Sequence, residues 1–377
     1  MHHFWRTIIE PVLDALQPEI LVEIGSDYGH NTKNLLEFCQ RSDAKLHVID
    51  PLPKYLVASW QERYGDRLIF HPALSLEAIP LIDRFDVVLI DGDHNWYTVF
   101  NELKLIEGQC AKSSRPFPLV MLHDIGWPYG RRDVYYDPQT IPNVYRKPYE
   151  KKGMKPESTK PLEKGGLNRG LCNAAYEGGP QNGVLTAVED FLDQTERLVE
   201  LVKVPGLHGL GIIVPIQLKK QNGDLAQLLE ALSLPPIVAR YIEQVERVRL
   251  EAEVAWEESA RSKDIQLQAV QEIMELVPEG EAFILVDEDS WVTDDELGGR
   301  RRIPFLERDG QYWDAPPDDA TAIRQLERLR QETEASFMVF AWPAFWWLEY
   351  YAGLRDHLRS EYRCVLENER LVAFDLR

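Results

Sequence analysis

The chain has 377 residues and a formal net charge of -20 at pH 7. This length exceeds that of most single hydrophobic cores, so we expect two domains. The acidic balance argues against nucleic acid as a partner, because an acidic surface repels phosphate backbones. The four cysteines lie far apart in the sequence, which argues against a zinc site or a disulfide framework.

The chain shows no sign of a membrane segment. No apolar run approaches the roughly 20 residues that a membrane-spanning helix needs. The first residues lack the basic stretch and long apolar run of a secretory signal peptide. We therefore expect a cytoplasmic protein.

The first predicted elements are an amphipathic helix over residues 4–17 and a short buried strand over residues 20–24. A turn follows that contains Gly25 and Gly29, and residues 30–40 have the spacing of a helix. A second strand over residues 45–49 ends in Asp50. This succession predicts the opening of a nucleotide-binding α/β domain.

The residues of the turn indicate which nucleotide is bound. A dinucleotide fingerprint needs glycines at positions 25, 27 and 30, but Asp27 and His30 occupy two of them, which disfavours a nicotinamide dehydrogenase. What remains is Glu23 followed by G-x-x-x-G, which resembles the first motif of class I S-adenosylmethionine (SAM) methyltransferases. The resemblance implies an α/β fold: a Rossmann-like methyltransferase sheet with helices on both faces. An ordinary strand-to-helix turn without a ligand is the alternative.

The same resemblance implies roles for the residues around this turn. In that family, the acidic residue at the place of Glu23 orients the methionine amino group, and the one at the place of Asp50 binds both ribose hydroxyls. The loop at Leu74, Ser75 and Leu76 borders the adenine in that family, although Ser75 is equally compatible with a helix cap alone. The residues so placed at the cofactor are Glu23, Gly25, Ser26, Asp27, Tyr28, Gly29, Asp50, Ser75 and Asp91.

Polar residues follow two further predicted strands. Residues 87–90 form an apolar strand that is followed by Asp91, Asp93 and His94. Residues 118–122 form another, which is followed by His123 and Asp124. Because ligands of open α/β sheets bind beyond the carboxyl ends of the strands, we expect these side chains to share one edge.

The run I-D-G-D-H, followed by L-H-D, resembles a branch of O-methyltransferases with a D-G-x-H motif, which is similar to metal-dependent sugar O-methyltransferases. The resemblance implies that Asp91 and Asp124 bind a divalent metal ion and that His94 is the general base. His123 stands where that family has Glu, and is taken as the third metal ligand. Carboxylates suit Mg²⁺, whereas an imidazole favours Mn²⁺ or Zn²⁺. A metal-free site with His94 as the base is equally compatible with the sequence.

Residues 126–182 have no sustained periodicity and are rich in tyrosine, proline, glycine and basic residues. A loop of this length inside a compact domain is usually functional or disordered. Because it directly follows His123 and Asp124, we interpret it as a lid over the acceptor site; a solvated surface insertion is the alternative. The candidate acceptor-binding residues are Trp127 and Tyr129, for stacking, and Arg131 and Arg132, for a carboxylate or phosphate.

The remaining chain completes the predicted organisation. Two strands over residues 198–204 and 209–215 close a methyltransferase domain spanning residues 1–216. Residues 217–277 read as a helical linker whose apolar stripe is compatible with packing or with a homo-oligomer. Residues 278–377 read as a smaller C-terminal α/β domain, with an aromatic run over residues 341–347 and no assigned chemistry.

Together these patterns predict a SAM-dependent methyltransferase that acts on a hydroxyl of a small-molecule acceptor, a sugar or another natural product, with or without a divalent metal ion. A hydroxyl is a poor nucleophile and needs a base, which His94 supplies. The alternative is a non-catalytic SAM-binding or glycan-binding protein whose C-terminal domain carries the function.

Overall fold

The computed structural model of the protein describes residues 1–288 and 294–377. The chain divides into two compact units, Met1–Glu257 and Glu258–Arg377. The boundary lies within the segment that the sequence suggests is a helical linker. None of the helices in the described ranges is both long and apolar enough to cross a membrane.

The first unit is built on a seven-stranded sheet. Its strands are β1 (Ile20–Ile24), β2 (Lys45–Ile49), β3 (Leu68–His71), β4 (Val87–Ile90), β5 (Leu119–His123), β9 (Val199–Val204) and β10 (Leu210–Pro215), and their order is β3-β2-β1-β4-β5-β10-β9. The first five strands of this order are parallel to one another, whereas β10 is antiparallel to both of its neighbours, β5 and β9. The chain moves outward from β1 to β3 and then returns to the other side of β1, so the switch point lies between β1 and β4.

Helices cover both faces of this sheet. Those of the first unit are α1 (Glu10–Leu16), α2 (His30–Ser42), α3 (Val57–Tyr64), α4 (Ser75–Ala78), α5 (Trp96–Lys112), α6 (Val184–Gln194), α7 (Ile216–Gln221) and α8 (Gly223–Leu232). Strand residues alternate between two cores: Leu21 packs with α1, α2 and α8, whereas Val22 and Ile24 pack with α4, α5 and α6. The predicted fold class is confirmed.

Two local predictions need correction. The predicted helix over residues 4–17 is a 3₁₀ turn (His2–Phe4) and a π-helical segment (Trp5–Ile9) that lead into α1. Ser75 is the first residue of α4 and not its cap, since Leu74 takes the cap position without a side-chain hydrogen bond. The apolar face predicted for the first helix is nevertheless buried, including Phe4, Ile8 and Val12.

The insertion over residues 126–182 is more ordered than its sequence suggests. Its three short strands are β6 (Val134–Tyr135), β7 (Tyr149–Glu150) and β8 (Cys172–Ala174), which form a sheet in the order β6-β8-β7. Asp133 anchors the insertion, because its carboxylate accepts hydrogen bonds from the amides of Trp96 (2.7 Å) and Gly183 (2.6 Å). These two bonds tie the insertion to the first residue of α5 and to the approach to α6.

Helix α9 (Pro236–Leu276) is a single continuous helix. Several apolar residues of its predicted stripe are exposed to solvent, among them Val238, Tyr241, Val245 and Val248. The elements of the second unit are β11 (Ala282–Val286), β12 (Arg301–Pro304), β13 (Glu307–Arg308), β14 (Gln311–Tyr312), α10 (Asp319–Thr333), β15 (Phe337–Ala341), α11 (Trp346–Tyr350), α12 (Ala352–Glu361), β16 (Arg363–Glu367) and β17 (Leu371–Asp375). Five of its strands form a sheet in the order β12-β11-β15-β17-β16.

Candidate functional site

The candidate site lies at the carboxyl ends of β1, β2, β4 and β5, beside the switch point. Gly25 begins the turn after β1 with a φ of +83°, and a Cβ atom at this position would lie 2.3 Å from the carbonyl oxygen of Asp91. Only glycine fits this close approach without displacing the chain. The turn after β1 and the loop after β4 are therefore in direct contact.

Asp50 is the centre of the predicted nucleoside side of the site. Its buried carboxylate accepts hydrogen bonds from the amides of Ser26 (2.8 Å), Asp27 (3.1 Å) and Leu52 (2.8 Å), and from the hydroxyl of Ser26 (2.7 Å). The carboxylate thereby holds the turn after β1 against the loop after β2. The turn itself stays accessible, since the side chains of Asp27 and Tyr28 are mostly exposed.

Glu23 lies below this turn and is fully buried. Burial raises the pKa of Glu23 to about 7, and the neighbouring side chains of Thr32 and Asn31 only partly oppose the shift. The Asn31 amide donates to the Glu23 carboxylate at 2.9 Å. Glu23 therefore contacts the first turn of α2.

Four side chains converge at the ends of β4 and β5. They are Asp91, His94, His123 and Asp124, and one ligand atom from each lies within 4.8 Å of all the others. His94 Nε2 is 2.8 Å from Asp124 Oδ2, and His123 Nδ1 is 2.9 Å from Asp91 Oδ1. The register of the two parallel strands, with Ile90 opposite Leu122, brings their carboxyl ends together. The predicted meeting of these side chains is thus seen in the structure.

Charge compensation within the cluster shifts all four pKa values. Burial alone would raise the pKa of both carboxyl groups, but the charge of His123 outweighs it and holds the pKa of Asp91 and of Asp124 well below the usual range. Burial likewise opposes protonation of His123, yet Asp124 and Asp91 raise its pKa to about 10. The pKa of His94 is also raised, because the effects of Tyr136 and Asp124 outweigh burial. Two imidazolium groups, together with the ammonium group of Met1 beside Asp91, therefore face two carboxylates.

The donor set of the cluster fits a divalent metal ion. Two carboxylate oxygens and two imidazole nitrogens are ligands that first-row transition metals accept, whereas Mg²⁺ and Ca²⁺ prefer oxygen donors alone. The imidazoles would have to release their protons to bind a metal. The presence of a second imidazole in the cluster moves the expectation away from Mg²⁺ and toward Mn²⁺ or a similar ion.

Neighbouring residues fix the orientation of the two histidines. The Tyr136 hydroxyl lies 3.2 Å from His94 Nδ1, and the carbonyl oxygen of Leu207 lies 2.9 Å from His123 Nε2. The Met1 ammonium group also pairs with Asp91 at 2.7 Å. Leu207 was not among the predicted site residues, although its place in a tight P-G-L-H-G turn between β9 and β10 was a usable signal.

Asp93 lies outside the cluster, although it shares the loop after β4. Its carboxylate accepts a hydrogen bond from the Thr98 hydroxyl at 3.1 Å, and burial raises its pKa. Asn95 next to it caps α5 by accepting from the Thr98 amide at 2.8 Å. Asp93 and Asn95 thus belong to the start of α5.

The predicted acceptor-binding residues separate into two groups. Tyr129 is buried with its ring stacked 5.8 Å from that of His94, and Trp127 lines a cavity. The two arginines are directed elsewhere: Arg131 makes a two-pronged ion pair with Glu189 at 2.6 and 2.8 Å, and the fully buried Arg132 donates to the Thr159 carbonyl at 2.8 Å. Internal partners thus contact both guanidinium groups, and the anion-binding role of Arg131 and Arg132 stays a prediction.

The chain was compared with protein families, curated proteins and solved structures. Residues 22–125 match a protein-family model described as a methyltransferase domain. A search of curated proteins finds no match.

Among solved structures, the chain is similar to an S-adenosylhomocysteine-bound methyltransferase from Podospora anserina, with 15% identity, a TM-score of 0.34 and coverage of 55% of this chain and 76% of that one. It is also similar to 1,6-didemethyltoxoflavin-N1-methyltransferase from Burkholderia thailandensis, with 14% identity, a TM-score of 0.32 and coverage of 55% and 77%. Structural likeness at this level adds no argument, so the family model is the finding that counts. It shows that residues 22–125, from within β1 to just after β5 and including the four-residue cluster, are similar to methyltransferase domains.

Proposed function

We propose that the protein transfers a methyl group from SAM to a hydroxyl of a small-molecule acceptor. The carrying observation is the cluster of Asp91, His94, His123 and Asp124, which lies at the switch point of the sheet, one strand away from the turn that Asp50 holds. The matching methyltransferase model spans both features. The buried cluster offers a base and a set of metal ligands at the place where an acceptor would meet the cofactor.

The cofactor side of the proposal involves the turn over residues 25–29, Glu23, Asp50 and Ser75. A carboxylate suits a pair of ribose hydroxyls because it accepts two hydrogen bonds at once. Oδ2 of Asp50 already accepts from Ser26 and Asp27, whereas Oδ1 accepts from the Leu52 amide alone, so Oδ1 is the atom with capacity for a ribose hydroxyl. Glu23 lies beneath the turn, where the methionine part of SAM would be expected.

The reaction is an in-line displacement at the methyl carbon. The acceptor oxygen forms a bond to the methyl carbon as the bond from that carbon to sulfur breaks, and SAM becomes S-adenosylhomocysteine. His94 in its neutral form takes the hydroxyl proton at Nε2, while the Tyr136 hydroxyl at its Nδ1 fixes the ring. Because its neighbours favour the protonated ring, His94 must first release the proton it holds to solvent. Most of the acceleration comes from holding acceptor and methyl donor in line.

Asp91, His123 and Asp124 would hold a divalent metal ion in this proposal. When bound, such an ion lowers the pKa of a coordinated hydroxyl and so makes it a better nucleophile. His94 is close enough to the same point to serve as a fourth ligand instead of the base. These two roles of His94 lead to different expectations for a variant.

Calorimetric titration with S-adenosylhomocysteine and with Mn²⁺ tests the proposal. We expect micromolar binding of S-adenosylhomocysteine to the wild type and unchanged binding to His94→Ala. If His94 is the base, this variant retains Mn²⁺ affinity and loses methyl transfer; if it is a ligand, Mn²⁺ affinity falls as well. Well-folded wild-type protein that binds no S-adenosylhomocysteine would contradict the proposal.

A second candidate is a binding protein whose C-terminal unit carries the function. The observation that favours it is a set of exposed aromatic side chains in that unit: Trp313, Trp346 and Tyr350. Aromatic faces of this kind stack on sugar rings in many glycan-binding proteins. Glycan-array binding that is lost in Trp346→Ala, together with no methyl transfer to any acceptor tested, would favour this candidate.

A further inference from the structure

A cavity of about 530 Å³ lies in the first unit, next to the four-residue cluster. Its walls come from the start and the middle of the insertion, the first turn of α6, the end of β9 with the turn that follows it, and the first half of α9. Ligand pockets for small organic molecules commonly have volumes of about 300–1,000 Å³. The cavity is therefore large enough for a molecule of two or three fused rings.

Two contacts connect this cavity to the cluster. Ile125, in its wall, directly follows Asp124 in the chain, and the ring of His208, also in its wall, lies 6.2 Å from the ring of His123. His208 is held by Trp127, whose carbonyl oxygen lies 3.1 Å from its Nδ1. His208 and Ile125 therefore form the wall between the cavity and the cluster.

The lining of the cavity is mainly hydrocarbon. The apolar contributors include Ile125, Trp127, Leu185, Val204, Pro205 and Leu250. Three of the five charged residues in the lining are in ion pairs: Arg247 pairs with Glu157 at 2.7 Å, and Glu246 pairs with Arg249, which lies outside the lining, at 2.8 Å. A free sugar would leave many hydroxyls without partners against such a surface, which is costly.

We propose that this cavity binds the body of the methyl acceptor, and that the acceptor is a hydroxyl-bearing molecule with an apolar fused-ring system and not a free sugar. This inference rests on the proposed methyl transfer, for which it names the substrate class. It assigns to α9 a part in acceptor binding, beyond linking two domains. Trp127 lines the cavity and keeps its predicted role in acceptor binding, whereas Arg131 and Arg132 do not line it.

The test compares two probes, 2-naphthol and methyl β-D-glucopyranoside, by calorimetry in the full-length protein with S-adenosylhomocysteine present. We expect binding of 2-naphthol and at least about tenfold weaker binding of the glucoside, a difference of about 1.4 kcal/mol. Equal binding of the two probes, or binding of the glucoside alone, would overturn the inference.

Ala239→Trp locates the binding site, because Ala239 is half-buried on α9 and its side chain lines the cavity. The matched control is Ala252→Trp on the same helix, at an exposed position outside the cavity. Ala239→Trp should weaken 2-naphthol binding by about tenfold or more, which is about 1.4 kcal/mol, and Ala252→Trp should leave it unchanged. Unchanged binding in Ala239→Trp would contradict the assignment of the cavity.

The affinity for S-adenosylhomocysteine separates this inference from the proposed function. Both tryptophan variants should retain it, which also shows that they fold; if Ala239→Trp does not, the smaller Ala239→Phe takes its place. S-adenosylhomocysteine binding without 2-naphthol binding would refute the acceptor class and leave methyl transfer intact. Binding of 2-naphthol in the cavity without S-adenosylhomocysteine binding would refute methyl transfer, and with it the identification of the ligand as an acceptor.

Discussion

The two units of the chain each have a parallel strand near the middle of a sheet that is followed by an aspartate. Among the residues that the structure describes, a cluster of side chains able to hold a metal ion is found in the first unit alone. In the first unit, β4 is followed by Asp91, and its neighbour β5 ends at His123, which Asp124 follows. In the second unit, β11 is followed by the buried Asp287, which pairs with Arg302 at 3.8 Å. One acidic strand end gives a buried ion pair, whereas two adjacent polar strand ends give a site.

The neighbouring strands explain the difference. In the second unit, β12 is followed by Phe305 and β15 by Trp342, so the adjacent strand ends bring aromatic side chains instead of imidazoles or carboxylates. Glu288 there accepts hydrogen bonds from the indole nitrogens of Trp346 (2.9 Å) and Trp347 (3.3 Å). The polar groups of this edge thus serve packing, and the comparison predicts that substitutions at the two edges have different consequences.

The largest effect is expected from Asp124→Asn. Asp124 has a φ of +59°, a backbone conformation that asparagine also tolerates, so the variant should fold. Loss of its charge removes a metal ligand and the partner of both histidines, and we expect Mn²⁺ affinity to fall by about 100-fold or more, about 2.7 kcal/mol. Calorimetric titration with Mn²⁺ measures this change in affinity.

Asp287→Asn in the second unit is the matched control for this experiment. It should leave the affinities for Mn²⁺ and for S-adenosylhomocysteine at their wild-type values. A loss of Mn²⁺ binding in Asp287→Asn equal to that in Asp124→Asn would contradict the distinction between the two strand ends.

Asp50→Ala should have the next largest effect, on the cofactor. A hydrogen bond to a charged group contributes roughly 1.5–3 kcal/mol, so loss of one such bond to the ribose should weaken S-adenosylhomocysteine binding by about 10- to 100-fold. Calorimetry measures the affinity, with Asp43→Asn, at a highly exposed position at the end of α2, as the control. Retention of full affinity in Asp50→Ala would show that the nucleoside is bound elsewhere.

A smaller and pH-dependent effect is expected from Glu102→Gln. Burial raises the pKa of Glu102 to about 8 from an ordinary value of 4.5, with only Ser75 and His94 opposing the shift. Between these values the folded state binds more protons than the unfolded state, so this group lowers the free energy of unfolding as pH rises from 4.5 to 8. Glu102→Gln removes this pH-dependent loss of stability. Its free energy of unfolding should exceed that of the wild type by about 1–3 kcal/mol at pH 8, but not at pH 4.

Glu327→Gln in the second unit should show the opposite dependence. Burial opposes ionisation of Glu327, but hydrogen bonds from Tyr362, His357 and Arg330 lower its pKa below 4.5. Its stabilising contribution is therefore present above pH 4.5 and is lost as pH falls through the lowered pKa. Denaturant unfolding from pH 3 to 8 compares the two variants; the same sign of pH dependence in both would contradict these assignments.

The smallest effect is expected from Trp346→Ala. Its indole is partly exposed and donates to Glu288, which keeps a second donor in Trp347. We expect a change of at most about 0.5 kcal/mol in the free energy of unfolding, which is typical of surface positions. A loss of S-adenosylhomocysteine or Mn²⁺ affinity in this variant would show that the second unit takes part in the chemistry.

The sequence by itself determined most of the elements and the edge of the sheet at which their polar side chains lie. Short apolar runs followed by glycine or acidic residues were enough to predict β1, β2, β4 and β5, because strand periodicity and turn residues are local properties. The expectation that five side chains would share one edge needed only the rule that parallel strands share their carboxyl edge. Four of them, Asp91, His94, His123 and Asp124, meet there, whereas Asp93 turns to the start of α5.

The tertiary structure decided which partner each polar group takes. Arg131 and Arg132 looked suited to an anion, but Glu189 and backbone carbonyls of the insertion occupy them. Leu207 and His208 reached the site from a turn more than 80 residues after His123. Long-range contacts of this kind depend on how β10 pairs with β5 and how the insertion folds, which no local periodicity encodes. The cavity wall formed by α9 came from the same source, since a helix pattern shows an apolar face but not what that face encloses.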